Sequence, residues 1–358
     1  MRFLLSDFTL YLTQNCNLDC LYCFQKRRGR SLGFSDIQKA LEFFQSSFRK
    51  KAYVSFYGGE PLLAFETIRR TVDFIDNHKT LRAKKLRYSI STNGTLLSDE
   101  VLRFLNARRF RVNLSHDGTA QDVTRPSRLN SLVLENMDRL KELPDIQLET
   151  NSVFIPATVG EIYRSARFLV DRGIRNCHLT YSIHDPWDSV QLNRMKKEVQ
   201  ELREFLLSRY RGHRSIPVQN FQSPPSRGLF QCAAGQDRLA LAADSRLWGC
   251  RFFADYFTGQ QNRPDFNDFC FGDIHDFSLR HQDIYPSISE NYRALRMDNF
   301  RSERMSCRRC ASMLYCSACP ATAAFSTGII GRVPAWICEI KHVWLQENHL
   351  FWKEAGKI

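Results

Sequence analysis

Three cysteines near the amino end of the chain have the spacing of an iron–sulfur ligand set. Cys16, Cys20 and Cys23 lie in a loop that follows an apolar, strand-like segment. Three thiolates with this spacing can bind three of the four irons of a cubane cluster. The fourth iron then has an open coordination position, where a metal centre can bind a reactant. The loop therefore predicts a catalytic metal centre in which these three cysteines are both ligands and catalytic residues.

A zinc site is the main alternative for these thiolates. A structural zinc ion needs a fourth ligand, and neither His nor Cys occurs between Cys23 and His78 to complete a local site. The three cysteines alone leave zinc and iron–sulfur chemistry open. The choice between them therefore depends on motifs further along the chain.

Six strand-like segments alternate with helical segments between residues 8 and 211. The predicted strands are Thr9–Thr13, Tyr53–Tyr57, Tyr88–Thr92, Arg111–Ser115, Gln147–Phe154 and Asn176–Tyr181. Amphipathic stretches such as Ser35–Phe48 separate them, with apolar residues at helical spacing. Alternating strands and helices predict a parallel sheet. Functional groups of such sheets lie at the carboxyl ends of the strands.

Small and polar residues follow three of these strands. Gly58, Gly59 and Glu60 follow the second strand, and paired glycines let the backbone approach a ligand closely. The third and fourth strands end in short hydroxyl and amide side chains, which suit ribose hydroxyls because both kinds of group donate and accept hydrogen bonds. These ribose candidates are Ser91, Asn93 and Ser115. The alternative is ordinary turn formation, since Asn-Gly and Asp-Gly are common turn formers.

Together, the Cys-x3-Cys-x2-Cys loop and the Gly-Gly-Glu-Pro turn resemble the radical S-adenosylmethionine (radical SAM) superfamily. The resemblance implies that the open iron binds S-adenosylmethionine and that an electron from the cluster generates a 5′-deoxyadenosyl radical. It also implies that residues 58–60 bind the methionine amino group and that Tyr22 packs against the adenine. Arg125 is a candidate for neutralising the methionine carboxylate or contacting substrate. The implied sheet is an open, partial barrel of six strands.

Cysteines are concentrated in the last third of the chain, beyond a linker at residues 212–229 that contains Pro and Gly. Two Cys-x2-Cys pairs there suggest a four-thiolate zinc site, but a fifth thiol follows them and others precede them. The cysteines of this region are Cys232, Cys250, Cys270, Cys307, Cys310, Cys316, Cys319 and Cys338.

Seven of these cysteines, in this order, resemble the SPASM domain, which holds two auxiliary 4Fe–4S clusters in radical SAM enzymes that modify peptides. The resemblance implies an inner set and an outer set of ligands. The inner set is Cys232, Cys250 and Cys319, and the outer set is Cys307, Cys310, Cys316 and Cys338. The inner set is one ligand short, so its cluster has either an open iron or Cys270 as fourth ligand. A free buried thiol is the alternative for Cys270 and for Cys177. Ser245 stands where the family has Gly, and the gap before Cys319 is one residue shorter than usual.

The predicted fold class is α/β: a partial (β/α)6 TIM-like barrel, then a cysteine-rich SPASM domain and a C-terminal helix. The predicted domains are residues 1–211 for the radical SAM domain, 212–229 for the linker, 230–340 for the SPASM domain and 341–358 for the helix. Three 4Fe–4S clusters and S-adenosylmethionine are the implied cofactors.

Composition constrains the location and the partners. The 358 residues include 12 cysteines but neither a signal peptide nor a membrane-length apolar run. This combination predicts metal ligation in a reducing cytoplasm instead of disulfides. The net charge of +13 is dispersed and accompanies no nucleic-acid module. It indicates a solvated basic surface, or attraction of an acidic peptide or electron donor.

The resemblance implies a peptide substrate, and the leading hypothesis is a maturase that installs a thioether or carbon–carbon crosslink. A flavodoxin- or ferredoxin-type electron donor is expected. Because no leader-binding domain fits before Cys16, peptide recognition is expected from the barrel mouth, from the SPASM surface or from a separate peptide-recognition protein.

Three alternatives remain. An anaerobic sulfatase-maturing enzyme, which forms formylglycine, carries an acidic base directly after the second SPASM cysteine. Here that position is Arg251, a cation that cannot take a proton, so Asp255 is the candidate catalytic base. A peptide epimerase would use Cys177 or Cys270 as hydrogen donor. A non-catalytic zinc-binding interaction protein would explain the cysteines but not the motifs at the strand ends.

Overall fold

The computed structural model describes residues 4–357, which are built around one long β-sheet. Its strands are β1 (Leu5–Thr13), β2 (Phe48–Gly58), β3 (Arg87–Thr92), β4 (Arg111–Ser115), β5 (Gln147–Phe154), β6 (Cys177–Tyr181), β7 (Arg238–Leu241), β8 (Arg246–Trp248) and β9 (Cys270–Asp273). Within residues 4–357, the strand order is β6-β5-β4-β3-β2-β1-β7-β8-β9. Strands β1 to β6 pair in parallel with their sequence neighbours, as predicted. The sheet is open, because β6 and β9 are its two edges.

Helices follow the parallel strands and continue into the C-terminal region. They are α1 (Phe34–Phe44), α2 (Phe65–Asn77), α3 (Lys79–Lys84), α4 (Asp99–Ala107), α5 (Gln121–Thr124), α6 (Asn130–Glu142), α7 (Ile162–Asp171), α8 (Ser189–Tyr210), α9 (Arg251–Phe257), α10 (Phe266–Phe269), α11 (Ile274–Arg293), α12 (Pro320–Thr327) and α13 (Ala335–Glu354). A short pair, β10 (Arg301–Ser302) and β11 (Arg332–Val333), completes the regular structure. Among the helices of residues 4–357, none has the length and hydrophobicity needed for a membrane span.

Aromatic side chains fill the layer between the sheet and the first helix. Phe8 of β1 is fully buried, and its ring centroid lies 5.5 Å from that of Phe44 in α1. The ring centroid of Phe48 lies 6.0 Å from that of Phe8. Burying one such side chain stabilises the fold by about 2 kcal/mol. The predicted helix Ser35–Phe48 therefore ends earlier, at Phe44, because Phe48 enters this core as the first residue of β2.

The C-terminal region contacts the six-stranded barrel at two places, one at each end of the row of parallel strands. On one side, β7 pairs in parallel with β1. On the other side, α13 packs against α8, and Arg203 of α8 forms a buried ion pair with Glu347 of α13 at 2.9 Å. Between these joins, the predicted linker packs on the barrel, since the Cys177 N–H donates to the Pro217 carbonyl at 2.7 Å and Phe221 is fully buried.

Candidate active site

One cavity of about 420 Å³ opens at the carboxyl ends of the parallel strands. The structure brings ten of the sequence-predicted residues to its wall: Cys16, Cys20, Tyr22, Cys23, Gly58, Gly59, Ser91, Asn93, Ser115 and Arg125. The opposite wall comes from the C-terminal region, through α9, α12 and α13. The six strands and the cysteine-rich region therefore share a single cleft.

Hydrogen-bond donors surround the sulfurs of the cysteine loop. The Cys16 Sγ accepts from the Leu18 N–H at 3.5 Å and from the Asn93 side-chain amide at 3.8 Å. An Arg125 N–H points at the Cys20 Sγ, at 3.7 Å. Such donors stabilise thiolate ligands and tune the metal group that they hold. The donor set therefore fits an iron–sulfur cluster bound to thiolates.

Burial affects the thiols of this loop. It raises the pKa of Cys20 to about 11, while Arg125 opposes the shift and the neighbouring Cys23 and Cys16 thiols add to it. The three thiols are thus close enough to interact electrostatically.

Within residues 4–357, no group of three or more His, Cys, Asp or Glu side chains is placed so that it could hold a single metal ion. Ligands of one zinc ion lie about 2.3 Å from a common point, whereas a cluster spaces its ligands across an iron cube.

Close backbone contact fixes the loop against the end of β2. The Gly59 N–H donates to the Thr13 carbonyl, and the Glu60 N–H donates to the Asn15 carbonyl, both at 2.8 Å. A Cβ on Gly59 would lie 2.1 Å from that Asn15 oxygen, and a Cβ on Gly58 would lie 2.3 Å from the Thr13 oxygen. Both glycines are therefore required by the approach of the cysteine loop itself.

Glu60 is buried behind this turn and does not line the cavity. Its carboxylate accepts hydrogen bonds from the Leu62 N–H at 3.0 Å, the Thr92 hydroxyl at 2.8 Å and the Asn93 N–H at 2.8 Å. Burial raises the pKa of Glu60 to about 6, and these three donors oppose the shift. Glu60 therefore joins the ends of β2 and β3 and positions Asn93. Its predicted contact with the methionine amino group stays a prediction.

Asp117 organises the next part of the wall. One carboxylate oxygen, Oδ2, accepts from the Tyr22 hydroxyl at 3.0 Å and from the Arg125 Nε at 3.0 Å. The other oxygen accepts from the Val153 N–H at 2.7 Å. The Arg125 guanidinium lies 5.2 Å from the Tyr22 ring centroid. Sequence reasoning missed Asp117, because Asp-Gly after a strand is typical of a turn. The weak signal available was a second polar residue at that strand end.

The C-terminal cysteines fall into two groups in space. Burial raises the pKa of Cys250 to about 12, and the nearby Cys319 and Cys232 thiols contribute to this increase. Burial, together with three nearby thiols, raises the pKa of Cys338 to about 12; these thiols are Cys307, Cys316 and Cys310. These groups have the same members as the predicted inner and outer sets. Cys319 also lines the cavity, so the inner group reaches the cleft.

Cys270 and Cys177 are not among the thiols that act on Cys250 or Cys338, although Cys270, Cys250 and Cys232 all act on Tyr292. Cys270 is buried in β9, where its sulfur accepts from the Gly272 N–H at 3.4 Å and its charged neighbours are Arg246 and Asp244. Cys177 is fully buried in the core of the barrel. Neither thiol lines the cavity. The role of Cys270 as fourth inner ligand therefore stays a prediction.

Ser245, at the position where the family has Gly, adopts the left-handed conformation with φ of 64°. Its hydroxyl donates to the Asp36 carboxylate at 2.5 Å. This bond offsets part of the strain that a non-glycine residue has in that region. The turn is therefore kept despite the substitution.

Asp255 is buried beneath the wall and does not itself line the cavity. It accepts a hydrogen bond from the Tyr57 hydroxyl at 3.2 Å, and Tyr57 does line the cavity. Burial raises the pKa of Asp255 to about 7, against the opposing effects of Tyr11 and Arg251. A proton can therefore pass from the cavity to Asp255 only through a neighbour such as Tyr57.

Comparison with known proteins decides the family of the barrel. Residues 10–169 match the Radical SAM superfamily. The chain contains a radical SAM domain. Members of this family bind a 4Fe–4S cluster and S-adenosylmethionine, in agreement with the cysteine loop and the cavity.

Two curated relatives show how far the sequence similarity extends. An uncharacterized protein of Methanocaldococcus jannaschii is 26% identical over 227 residues, which are 60% of this chain and 74% of that protein. A cysteine-type anaerobic sulfatase-maturating enzyme of Clostridium novyi is 30% identical over 118 residues, which are 30% of this chain. That match spans about a third of the enzyme's length, namely 31%.

Solved structures confirm the fold over nearly the whole chain. The structure of anSMEcpe with bound AdoMet and Cp18Cys peptide has a TM-score of 0.76 and 16% identity, and the match covers 98% of this chain and 99% of that one. Streptococcus suis SuiB bound to its precursor peptide SuiA has a TM-score of 0.60 and 16% identity, with 94% and 76% covered. The predicted α/β fold, with its cysteine-rich C-terminal region, is therefore correct.

Proposed function

We propose that this protein is a radical SAM peptide maturase that oxidises its substrate by removing two hydrogens and forming a thioether or carbon–carbon crosslink. One observation carries the proposal: Cys16, Cys20 and Cys23 share a cavity with Cys319 of the inner cysteine group. A substrate in that cavity lies between the predicted site of radical formation and a predicted auxiliary cluster. The peptide-bound neighbours, anSMEcpe and SuiB, support a peptide as the substrate.

The barrel side of the cavity holds S-adenosylmethionine in this proposal. When bound at the cluster of the cysteine loop, this cofactor supplies a 5′-deoxyadenosyl radical. Ser91, Asn93 and Ser115 offer hydrogen-bonding groups to its ribose, and the Tyr22 ring packs against its adenine. Asp117 fixes both the Tyr22 ring and the Arg125 guanidinium, so these groups are positioned before the cofactor arrives.

The C-terminal side completes the oxidation. The substrate carbon first loses a hydrogen atom, and it then bonds to a substrate sulfur or carbon that gives up a proton. One electron remains, and the inner cysteines Cys232, Cys250 and Cys319 would hold a cluster that could accept it. For the proton, the Tyr57 hydroxyl provides a route from the cavity to Asp255. Three 4Fe–4S clusters and an external flavodoxin- or ferredoxin-type donor, which reduces the first cluster, belong to this proposal.

Formylglycine formation is the second candidate, because the Tyr57–Asp255 pair places a carboxylate one hydrogen bond from the cavity. Asp255 would then replace the acidic residue that the sulfatase-maturing group has at the position of Arg251. Epimerisation is less well supported. Neither Cys177 nor Cys270 lines the cavity, so neither thiol is placed to return hydrogen to a substrate there.

Mass spectrometry of co-expressed candidate precursor peptides tests the proposal. Crosslinking removes two hydrogens and blocks a thiol or a side-chain carbon, whereas formylglycine gives an aldehyde that reacts with hydrazides. Cys20→Ser should abolish both 5′-deoxyadenosine formation and product. Cys319→Ser should still release 5′-deoxyadenosine but yield little oxidised peptide. Full product from Cys319→Ser, or an unchanged peptide mass with the wild-type enzyme, would contradict the proposal.

A further inference from the structure

The cavity has an uneven distribution of charge. Its wall carries four cationic side chains, Arg27, Arg125, Arg251 and Lys341, and among the described residues that line it there is no carboxylate. Arg125 is neutralised by Asp117 at 3.0 Å, and Arg27 pairs with Asp19 at 3.2 Å. Across residues 4–357, Arg251 and Lys341 have no carboxylate oxygen within 4.0 Å of their nitrogens. These two cations are therefore free to bind an incoming anion.

Lys341 is held at the cavity by its helix. Ile337 and Lys341 are four residues apart on α13, so they lie on the same helix face, and both line the cavity. The helix is anchored by the buried Arg203–Glu347 ion pair. The position of the Lys341 backbone is thus fixed, and only the flexible end of its side chain needs to be ordered by a ligand.

Arg251 is fixed by aromatic contacts. Its guanidinium lies 4.8 Å from the Tyr57 ring centroid and 5.0 Å from that of Phe252. Stacking of this kind leaves the N–H groups at the guanidinium edge available to a planar carboxylate. Arg251 is also the first residue of α9.

His178 lies close enough to both Arg251 and Lys341 for each cation to affect its pKa. The ring belongs to β6 and lines the cavity, and its Nδ1 lies 2.8 Å from the Asn151 Oδ1. Desolvation in the cleft, together with the charges of Lys341 and Arg251, lowers the pKa of His178 to about 4, although part of the side chain is exposed to the open cavity. The imidazole is therefore neutral at physiological pH and adds no charge to the cavity. Arg251 also acts on the buried Asp255 and Lys341 on Cys316, but neither cation forms a direct ion pair with a carboxylate of the described residues.

We infer that Arg251 and Lys341 form a carboxylate-binding subsite, and that the substrate peptide carries an Asp or Glu side chain next to the residue that reacts. The inference rests on the proposed function, because it assigns the occupant of the cavity to a peptide. It goes beyond that function by naming a residue class that the substrate must contain. A charged hydrogen bond to a partly buried cation is strong enough to select between peptides.

Selection from a display library of short random peptides tests this subsite. In such a library the peptide C-terminus is covalently blocked, so only side-chain carboxylates are available. Cluster-loaded wild-type protein should enrich peptides that contain Asp or Glu. Lys341→Met should weaken this preference, and Lys341→Glu should enrich Lys or Arg instead. Lys196→Glu is the matched control, since this exposed residue of α8 undergoes the same charge change away from the cavity.

Affinities of one enriched peptide and its Glu→Gln analogue then give the magnitude. The wild type should bind the acidic peptide about tenfold to a hundredfold more tightly than the analogue. Lys341→Met, which keeps Arg251, should show a clearly smaller difference between the two peptides. Iron content and circular dichroism of each variant establish that it is folded and loaded.

Each other result has a definite meaning. Enriched peptides without an acidic bias, or an acidic bias that Lys341→Glu retains, would overturn the subsite and leave the proposed function standing. Weaker S-adenosylmethionine binding by Lys341→Glu, with peptide preference unchanged, would assign the cation to the cofactor and also overturn the subsite. Failure to enrich any peptide would refute the subsite, while the mass spectrometry of co-expressed precursors decides the peptide-maturase function separately.

Discussion

Substitution of Gly59 by alanine should displace the cysteine loop without changing any polar group of the site. The added Cβ would lie 2.1 Å from the Asn15 oxygen, 2.6 Å from the Asn15 carbonyl carbon and 3.2 Å from the Cys16 nitrogen. These are backbone atoms, so no side chain can rotate away to relieve the contact. An ordinary contact is restored only if the peptide before Cys16 moves by roughly 1 Å.

The size of the effect follows from this displacement. Overpacking of this kind costs about 1–3 kcal/mol, and the two 2.8 Å hydrogen bonds that join the loop to β2 weaken as well. Because a misplacement of about 1 Å can reduce a reaction rate roughly a hundredfold, Gly59→Ala should release 5′-deoxyadenosine about a hundredfold more slowly. Its iron content should also fall, since Cys16 moves away from the other two ligands.

The control is Gly228→Ala, because a Cβ on Gly228 meets no atom within 4 Å and its φ is not positive. Both variants are purified anaerobically and reconstituted together. Iron and sulfide per chain, S-adenosylmethionine binding and 5′-deoxyadenosine release are then measured. If Gly59→Ala matched Gly228→Ala in all of these, the close contact would not position the loop and the reasoning would be wrong.

Two further predictions concern stability. His116 is buried and its Nδ1 accepts from the Gly118 N–H at 3.0 Å, and burial lowers its pKa to about 4. An unfolded histidine titrates near 6.5, so the unfolded state binds the extra proton and stability is lost as pH falls from about 6.5 towards 4. Relative to His116→Asn, the wild type should lose about 2 kcal/mol of unfolding free energy between roughly pH 7.5 and pH 5, as measured by urea unfolding. Glu347→Gln, which leaves Arg203 buried without its nearest buried carboxylate, should cost about 2 kcal/mol or more. Glu354→Gln, whose side chain is 47% exposed, is its control, and equal thermal midpoints would contradict this assignment.

The sequence predicted the barrel well because its strands are short, apolar runs separated by amphipathic helices. All six predicted strands form, and the main error, the extent of α1, arose because an apolar Phe48 suits either a helix or a strand. The tail helix was predicted from Lys341 but begins at Ala335, directly after Pro334, because residues up to 340 were assigned to the cysteine-rich domain and the proline was not used as a helix start.

The site was predictable where its chemistry depends on spacing along the chain. The cysteine loop and the glycine turn were found because their members are close in sequence. Arg251 and Lys341 were not recognised as neighbours of the barrel motifs, because only long-range packing brings α9 and α13 to the cavity. Asp117 was missed for the opposite reason: its local context already had a sufficient explanation as a turn.

The pairing of β7 with β1 makes the N-terminal barrel depend on the segment that follows it. If the chain were cut between residues 211 and 230, the backbone amides and carbonyls along one side of β1 would lose their partners and face solvent. Exposed strand edges of this kind promote self-association. A truncated barrel should therefore aggregate, and an exchange of C-terminal regions between such enzymes should succeed only if the β7 sequence remains with its own β1.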